Sequence, residues 1–303
     1  KEYSLPFGLF KFLRYNFSMK TLKYNISLDK LEITYQGKQE VRDALAAIKE
    51  SMVINEITVV RVEMPKHYQY EFLLFGKDYT DERGEFERPI GVLYFGSVNQ
   101  NRPHIYINYH NAVLYDEFML ATRFYVEEAL GLEYLRVSKI DIALDLNRNI
   151  VSRFYRLYRD EAYSLVILNK KYKGIDESVK EVLHISTGTR KRPFKNRSFF
   201  IENKDKSLGL RCYNKSEELT ESEKDYIPNV SGKLPMYRLE VSLRNHKNIA
   251  KTLDLLGVNN AEELYSQLQT EDFLLSLFLT TLNRIIRVGK GRKRFNLLEC
   301  LLS

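Results

Sequence analysis

The sequence predicts an α+β fold, with a mixed or antiparallel sheet, helices on one face of that sheet and a C-terminal helical segment. Three segments alternate apolar and polar residues with the period of a β-strand: residues 139–146, 208–215 and 237–244. Residues 273–286 instead carry apolar residues at helical spacing. We therefore divide the chain into an α+β domain over residues 1–250 and a helical segment over residues 251–303.

The first third of the chain reads as short strands separated by turn signals. The predicted strands are residues 22–28, 54–62, 70–75, 92–95 and 105–109. A helix is predicted over residues 41–52, and the polar run 77–89 around Gly84 predicts a long hairpin loop. A second helix is predicted over residues 116–130, because Gly131 would terminate it.

After the 139–146 strand, a helix is predicted over residues 150–163. Strands follow at residues 182–186, 199–202 and 208–213. Asn259, with Glu262 three residues later, is a plausible start for the C-terminal helical region.

The three alternating segments each place polar side chains on one face. The first segment contributes Asp141, Ala143 and Asp145; the second contributes Arg211, Tyr213 and Lys215; the third contributes Arg238, Glu240, Ser242 and Arg244. If these strands are neighbours, their polar groups converge on one patch that can hold a divalent metal, a nucleophile and a phosphate. A water-exposed strand face or a cross-strand ion pair would explain any one segment alone.

Tyr213 is the candidate nucleophile in this patch, with Lys215 as the neighbouring catalytic cation. A tyrosine hydroxyl has a pKa of about 10, so it needs a cation, a base or a polarised target to attack at neutral pH. Asp141 and Glu240, with Asp145 as a further candidate, offer the hard oxygen ligands that Mg²⁺ or Mn²⁺ prefers. A metal there would act as a Lewis acid on a phosphodiester.

The histidines favour this carboxylate-based design. No two of the five are spaced His-x-His. His184 lies in an apolar strand and is either an extra metal ligand or, more simply, a core histidine. Glu202 is a further open candidate for a metal ligand.

The charge balance favours a polyanionic partner. There are 47 Lys and Arg residues against 40 Asp and Glu, a net charge of +7 and a pI near 9.1. The candidate DNA-binding residues are Arg190, Lys191, Arg192, Lys195, Arg197, Arg211, Arg238, Arg292, Lys293 and Arg294. Most of them fall in two basic clusters, residues 189–197 and residues 284–294. The alternative interpretation is a solvated loop for the first cluster and a frayed end of the C-terminal helix for the second.

Other classes of protein are disfavoured by the sequence. Its two cysteines, Cys212 and Cys300, form no disulfide framework and no metal-knuckle spacing, which fits a reducing cytoplasm. The most apolar stretch, residues 273–279, is too short to span a bilayer.

In these motifs the chain resembles the rolling-circle replication initiators, namely the replication initiation factor family of plasmids and conjugative elements and the related filamentous phage gene II proteins. Those families have an Arg-Ile-Asp strand, then Ile-Arg-x-Tyr-x-Lys, then Arg-x-Glu. The counterparts here are Lys139-Ile-Asp141, Leu210-Arg-Cys-Tyr-Asn-Lys215 and Tyr237-Arg-Leu-Glu240. Lys139 replaces the usual Arg, and residues 198–204 stand where plasmid members often have Tyr-x-Gly-Ser-Arg.

The resemblance implies an HUH-endonuclease-like fold, with a central antiparallel sheet flanked by helices. It also implies a metal-dependent single-strand DNA nickase that starts rolling-circle replication. By it, Tyr213 forms a 5′-phosphotyrosine link, Asp141 and Glu240 bind Mg²⁺ or Mn²⁺, and Lys215 is the active-site cation. It also implies a homodimer acting on origin DNA in a bacterial cytoplasm, with a host helicase as a further partner. Two alternatives remain, a non-catalytic origin-binding or copy-number-regulating protein and an RNA-binding module that stacks bases on its aromatic residues.

Overall fold

The computed structural model describes residues 23–77, 87–97, 103–173, 179, 181–186, 198–222, 235–258 and 260–302. Its main feature is an 11-stranded sheet in which every neighbouring pair of strands is antiparallel. The strands of this sheet are β1 (Tyr24–Gln36), β2 (Ser51–Ile54), β3 (Ile57–Arg61), β4 (Tyr68–Lys77), β5 (Glu87–Ser97), β6 (Ile105–Tyr109), β7 (Glu133–Leu146), β10 (Leu183–Ser186), β11 (Ser198–Glu202), β12 (Leu208–Asn214) and β13 (Tyr237–Leu243). They are arranged in the order β10-β11-β12-β13-β7-β1-β6-β5-β4-β3-β2.

A smaller sheet has four strands in the order β15-β14-β8-β9. They are β8 (Tyr163–Ile167), β9 (Lys170–Lys173), β14 (Ile286–Lys290) and β15 (Lys293–Asn296). The helices of the described residues are α1 (Gln39–Ala46), α2 (Asn111–Leu114), α3 (Met119–Ala129), α4 (Ile150–Arg159), α5 (Lys215–Ser222), α6 (His246–Asp254), α7 (Ala261–Gln267), α8 (Glu271–Ile285) and α9 (Leu297–Leu302). The predicted antiparallel α+β fold with C-terminal helices is confirmed.

The three alternating segments are adjacent strands near one end of the large sheet. β13 lies between β12 and β7, and the register pairs Arg211 with Glu240 and Arg238 with Asp145. Directly paired residues share a face of the sheet, so the polar groups do lie together. On the opposite face, Ile140, Ile142 and Leu144 are buried in the core.

The core lies between this apolar face and the helices. Ten of the 15 residues of α8 are buried, and this helix contacts β1, β7, β12 and β13. The ring of Phe154 in α4 stacks on Phe199 of β11, with ring centroids 3.7 Å apart. Because helices cover the apolar face here, the polar face of the same strands is available for a cleft.

Several predicted boundaries were wrong. The helix predicted over residues 41–52 ends at Ala46, and residues 51–54 form β2. Asn55 and Glu56 both have positive φ (45° and 65°), and this conformation makes the two-residue turn that closes the β2–β3 hairpin.

The helix α3 ends as predicted before Gly131, whose φ is +62°. The other predicted ends lie close to the observed ones: α4 ends at Arg159, and the side chain of Asn260 caps α7. Asn259, the predicted helix start, lies outside the described residues.

The basic cluster at residues 284–294 is not a frayed helix end. Only its first two residues belong to α8, which stops at Ile285, and the rest form the β14–β15 hairpin, which turns at Gly291 with φ of +58°. β14 adds to β8, so alternating Ile286 and Val288 are buried against the core.

The division predicted between residues 250 and 251 falls within α6 and stays a prediction. In the described part of the chain, no helix is long and apolar enough to cross a membrane.

Candidate active site

A cleft of about 670 Å³ opens on the polar face of β7, β12 and β13. Tyr213, Lys215, Asp141 and Glu240 all line it, together with Arg211. The other residues that line it are Asp29, Lys30, Asn111, Lys139, Ser198, Phe199, Phe200, Cys212, Glu218 and Arg244. The structure therefore brings the predicted nucleophile, the predicted cation and two of the predicted metal ligands into one cavity.

Tyr213 lies in the last part of β12, partly buried in the wall of the cleft. Burial raises the pKa of its hydroxyl well above the ordinary value; Arg238 opposes this shift, and Glu240 and Glu218 add to it. The hydroxyl is thus neutral in the protein alone, and the predicted role of nucleophile would need a cation, a base or a polarised target at the site.

Lys215 was predicted to lie in a strand, but it is the first residue of α5. The strand ends because the Asn214 side chain accepts a hydrogen bond from the Ser216 amide (3.2 Å), an arrangement typical of a helix start. The Lys215 ammonium is buried 5.8 Å from the centre of the Tyr213 ring and bonds Glu218 at 2.8 Å. Burial and Arg238 lower the pKa of Lys215. Lys215 therefore lies beside Tyr213, the predicted nucleophile, as its own predicted role requires.

Asp141 and Glu240 lie on adjacent strands and are both buried. Burial raises the pKa of Asp141, whereas Lys139 and a hydrogen bond from Ser242 lower it. For Glu240, burial, followed by repulsion from Asp141 and Asp29, raises the pKa to about 7; Arg211 and Arg238 act in the opposite direction. Two carboxylates that repel each other in a buried position are a favourable environment for a cation.

The pair fits a divalent metal in its donor chemistry. The Oδ1 atom of Asp141 is buried and has no hydrogen-bond partner among the described residues. Within the same residues, no group of three or more His, Cys, Asp or Glu side chains is arranged to hold a metal. Mg²⁺ commonly takes one or two carboxylates and completes its shell with water and substrate phosphate, so a two-carboxylate site suits a metal that binds together with DNA.

Asp145 does not fit the predicted role of metal ligand. Both of its carboxylate oxygens accept hydrogen bonds from Arg238, each at 2.7 Å, and neither residue has any exposed surface. The Arg238 guanidinium also donates to Asp29 at 2.5 Å. Arg238 therefore cannot contact DNA from this position, contrary to prediction. Asp145 and Arg238 thus form a buried bidentate ion pair.

Asp29 is a site residue that the sequence did not reveal. It occupies a bulge in β1, where the pairing with β7 shifts between Leu28 and Lys30. Bulges re-aim side chains, and here Asp29 reaches the cleft and accepts hydrogen bonds from Arg238 and Tyr115. The predicted strand ended at residue 28, so the polar face of β1 was missed. A longer strand prediction, with Lys30 and Glu32 alternating against Leu31 and Ile33, could have suggested it.

Three further cations line the cleft besides Arg211, which is exposed. Lys139 lies 3.8 Å from Asp141, Arg244 lies 3.4 Å from Glu202, and Lys30 comes from β1. Positive charge around a carboxylate pair gives the cavity groups for both a metal and a phosphodiester.

The remaining predicted residues lie away from the carboxylates or outside the described residues. Arg190, Lys191, Arg192, Lys195 and Arg197 fall outside the described residues. Arg292, Lys293 and Arg294 are exposed at the end of the β14–β15 hairpin. His184 is an exposed residue of β10 stacked on Phe200, not a core histidine.

The raised pKa of Glu240 leads to a prediction for stability. Between pH 4.5 and about 7 the folded protein keeps a Glu240 proton that the unfolded chain has lost, so stability falls as pH rises across this window. Glu240→Gln is expected to raise the free energy of unfolding at pH 8 by about 3 kcal/mol, because the pKa rises from 4.5 to about 7 and each tenfold change in proton affinity corresponds to about 1.4 kcal/mol. At pH 4 the two proteins should be similar. Urea unfolding in EDTA at both pH values measures this.

Exposed Glu128 provides the control, because Glu128→Gln should change the free energy of unfolding at neither pH 4 nor pH 8. Added Mn²⁺ at pH 8 should then stabilise the parent and not the Glu240→Gln variant, since a ligand stabilises only the state that binds it. A Glu240→Gln variant less stable than the parent at pH 8 would contradict the electrostatic account.

Comparison with known proteins gives only distant matches. No protein-family model matches the chain, and no curated protein matches it. Among solved structures, a rolling circle replication initiator protein from Geobacillus stearothermophilus aligns over 92% of this chain and 95% of its own, at 12% identity and a TM-score of 0.47. The di-domain ARO/CYC StfQ of the steffimycin biosynthetic pathway aligns over 83% and 96%, at 8% identity and a TM-score of 0.16. Likenesses with TM-scores this low say nothing about the function of this chain.

Proposed function

We propose that this protein is a site-specific, metal-dependent DNA endonuclease and strand-transferase that initiates rolling-circle replication through a 5′-phosphotyrosine intermediate. The observation that carries the proposal is the single cleft that contains Tyr213, Lys215, Asp141 and Glu240. These are the positions that correspond to the initiator motifs in the sequence. Three strands separated along the chain and the first residue of α5 contribute them, and packing alone would not require this set of groups on one open face.

In the proposed reaction the Tyr213 hydroxyl oxygen attacks the phosphorus of a phosphodiester in single-stranded DNA. A bond forms between that oxygen and phosphorus, and the bond from phosphorus to the 3′ oxygen breaks. The phenol loses its proton and the released 3′ oxygen gains one, so the products are a phosphotyrosine ester and a free 3′ hydroxyl. Because one phosphodiester replaces another, the reverse reaction rejoins a strand.

The chain's own residues would share this work. Lys215, next to the Tyr213 ring, would stabilise the phenolate or the charge that develops on the phosphate. Asp141 and Glu240 would hold Mg²⁺ or Mn²⁺, which supplies Lewis-acid polarisation of the phosphodiester. Arg211 and Arg244 are placed to contact flanking phosphates.

The proposed partners follow from the same reading. Origin DNA, single-stranded or in supercoiled duplex form, is the proposed substrate, and the exposed Arg292, Lys293 and Arg294 would add sequence-independent contacts to phosphate. A homodimer, a host helicase and a cytoplasmic location are proposed from the motif resemblance alone.

A second candidate is a non-catalytic protein that binds an origin. One observation favours it: burial raises the pKa of Tyr213, and the neighbouring Lys215 ammonium is bonded to Glu218. A protein that only binds DNA would keep the cationic cleft and would not need a reactive tyrosine.

Covalent capture separates the two candidates. We expect single-stranded DNA from the replicon that carries the gene to form an SDS-resistant adduct with the protein when Mg²⁺ or Mn²⁺ is present, and none in EDTA. The cleaved strand should carry a 3′ hydroxyl that a polymerase can extend. DNA binding without an adduct under any metal condition would favour the second candidate.

A further inference from the structure

A row of side chains leads from the carboxylate pair to the edge of the large sheet. The strand register pairs Glu240 with Arg211, Arg211 with Phe200, and Phe200 with His184. Directly paired residues of antiparallel strands share a face, so all four project on the side of the cleft. Phe200 therefore stands on the open face of the sheet, two strands from Glu240.

Phe200 is an exposed ring that is stacked on a second ring. The residue is 42% exposed, and the imidazole of His184 stacks on its ring with centroids 4.4 Å apart and an angle of 17° between the planes. Single exposed apolar residues are normal on protein surfaces and need no explanation. An exposed ring that is backed by a second ring and also borders a cavity is a different arrangement, because one face of the ring is covered and the rest is open to a ligand.

A pocket of about 290 Å³ borders Phe200, with Gly209 among its lining residues. Phe200, Arg211 and Arg244 line both this pocket and the cleft, so the two cavities are adjacent. A Cβ atom on Gly209 would lie 3.5 Å from the Cβ of Ser242, an ordinary contact. The backbone therefore does not require glycine at this position, and the missing side chain leaves the pocket more open.

The chemistry around the pocket suits an unpaired nucleotide. Arg211 and Arg244 can contact a phosphate, and the face of Phe200 can contact a base. Aromatic rings beside a cationic groove are the usual means by which proteins bind single strands, because every base has a stacking face. A base in a duplex has both faces covered by its neighbours and could not use this surface.

We propose that Phe200, backed by His184, is a stacking platform for an unpaired base that flanks the phosphodiester in the cleft. The inference rests on the proposed function and adds a base-binding subsite to it. Phe200 positions the strand and takes no part in the chemistry.

The test uses two labelled 12-mers that have the same number of phosphates. One is (dT)12 and the other is an abasic strand of tetrahydrofuran nucleotides, so the ratio of their affinities isolates the contribution of bases. Fluorescence anisotropy should show that the parent protein prefers (dT)12. Phe200→Ala should reduce that preference roughly 5-fold or more, since stacking on one aromatic ring typically accounts for at least this factor.

Matched variants separate stacking from general damage. Phe200→Tyr keeps a ring and should keep the preference. Phe118→Ala removes a more exposed phenylalanine that lines neither the cleft nor the pocket, and it should leave the preference unchanged. Photocrosslinking of a 12-mer that contains 5-iododeoxyuridine should label the tryptic peptide of residues 198–204.

Two results would overturn the proposal in different ways. An unchanged preference in Phe200→Ala, in a protein that still forms the covalent adduct, would remove the platform and leave the proposed function intact. A parent protein that binds neither 12-mer and forms no adduct would remove both.

Discussion

Asp141→Asn is expected to slow strand cleavage about a thousandfold in the presence of Mn²⁺, because metal catalysis supplies several kcal/mol of transition-state stabilisation. Asparagine keeps the shape of the side chain and one oxygen that can accept the hydrogen bond from Ser242. It removes the negative charge and replaces one carboxylate oxygen with an amide nitrogen that cannot bind a metal. The rate of adduct formation on single-stranded DNA, with the protein in excess, measures the effect.

Binding and folding are the controls for this prediction. In EDTA the variant should bind single-stranded DNA as tightly as the parent or slightly more tightly, since a negative charge has left the cleft. Exposed Asp254 offers a matched change, and Asp254→Asn should cleave at the parental rate. An Asp141→Asn protein that cleaves normally would remove Asp141 from the metal site and leave Glu240 without its partner.

Asp145→Ala is expected to lower the free energy of unfolding by about 3–5 kcal/mol, the usual cost of removing one partner from a buried ion pair. The variant leaves Arg238, which has no exposed surface, with only Asp29 as a carboxylate partner. A buried guanidinium cannot be neutralised, so the protein must keep an uncompensated charge or open locally. Urea unfolding at neutral pH in EDTA measures the loss.

A double variant distinguishes a structural role from metal binding. Arg238→Met combined with Asp145→Leu removes both charges, and well-packed apolar residues often replace a buried pair at little cost. Its stability should therefore recover most of the loss. An Asp145→Ala protein that is as stable as the parent, but no longer binds Mn²⁺, would restore Asp145 to the metal site.

The site could be predicted from sequence where strand alternation alone determined the geometry. Asp141, Tyr213 and Glu240 sit in uninterrupted strands, so a period of two placed each on the correct face. Alternation does not show what lies above that face. Arg238 shares it, yet Asp145 and Asp29 cover its guanidinium, and no feature of the local sequence distinguishes this covered arginine from exposed Arg211.

Irregular geometry accounts for most of the remaining errors. Asp29 reaches the cleft because a bulge interrupts the β1–β7 pairing, and bulges depend on the partner strand as much as on the strand itself. The β14–β15 hairpin was missed because the apolar spacing of α8 continues into Ile286 and Val288. Only the pairing of β14 with β8 shows that these residues are extended.

The measurement that tests the account most directly is the identification of the residue that carries DNA in the covalent adduct. Trypsin should release residues 212–215, a peptide in which Tyr213 is the only tyrosine. After nuclease trimming, mass spectrometry is predicted to find a phosphonucleotide on this peptide, and Tyr213→Phe should form no adduct. A nucleotide on any other tyrosine, or a Tyr213→Phe protein that still forms the adduct, would contradict the assignment of Tyr213 as the nucleophile.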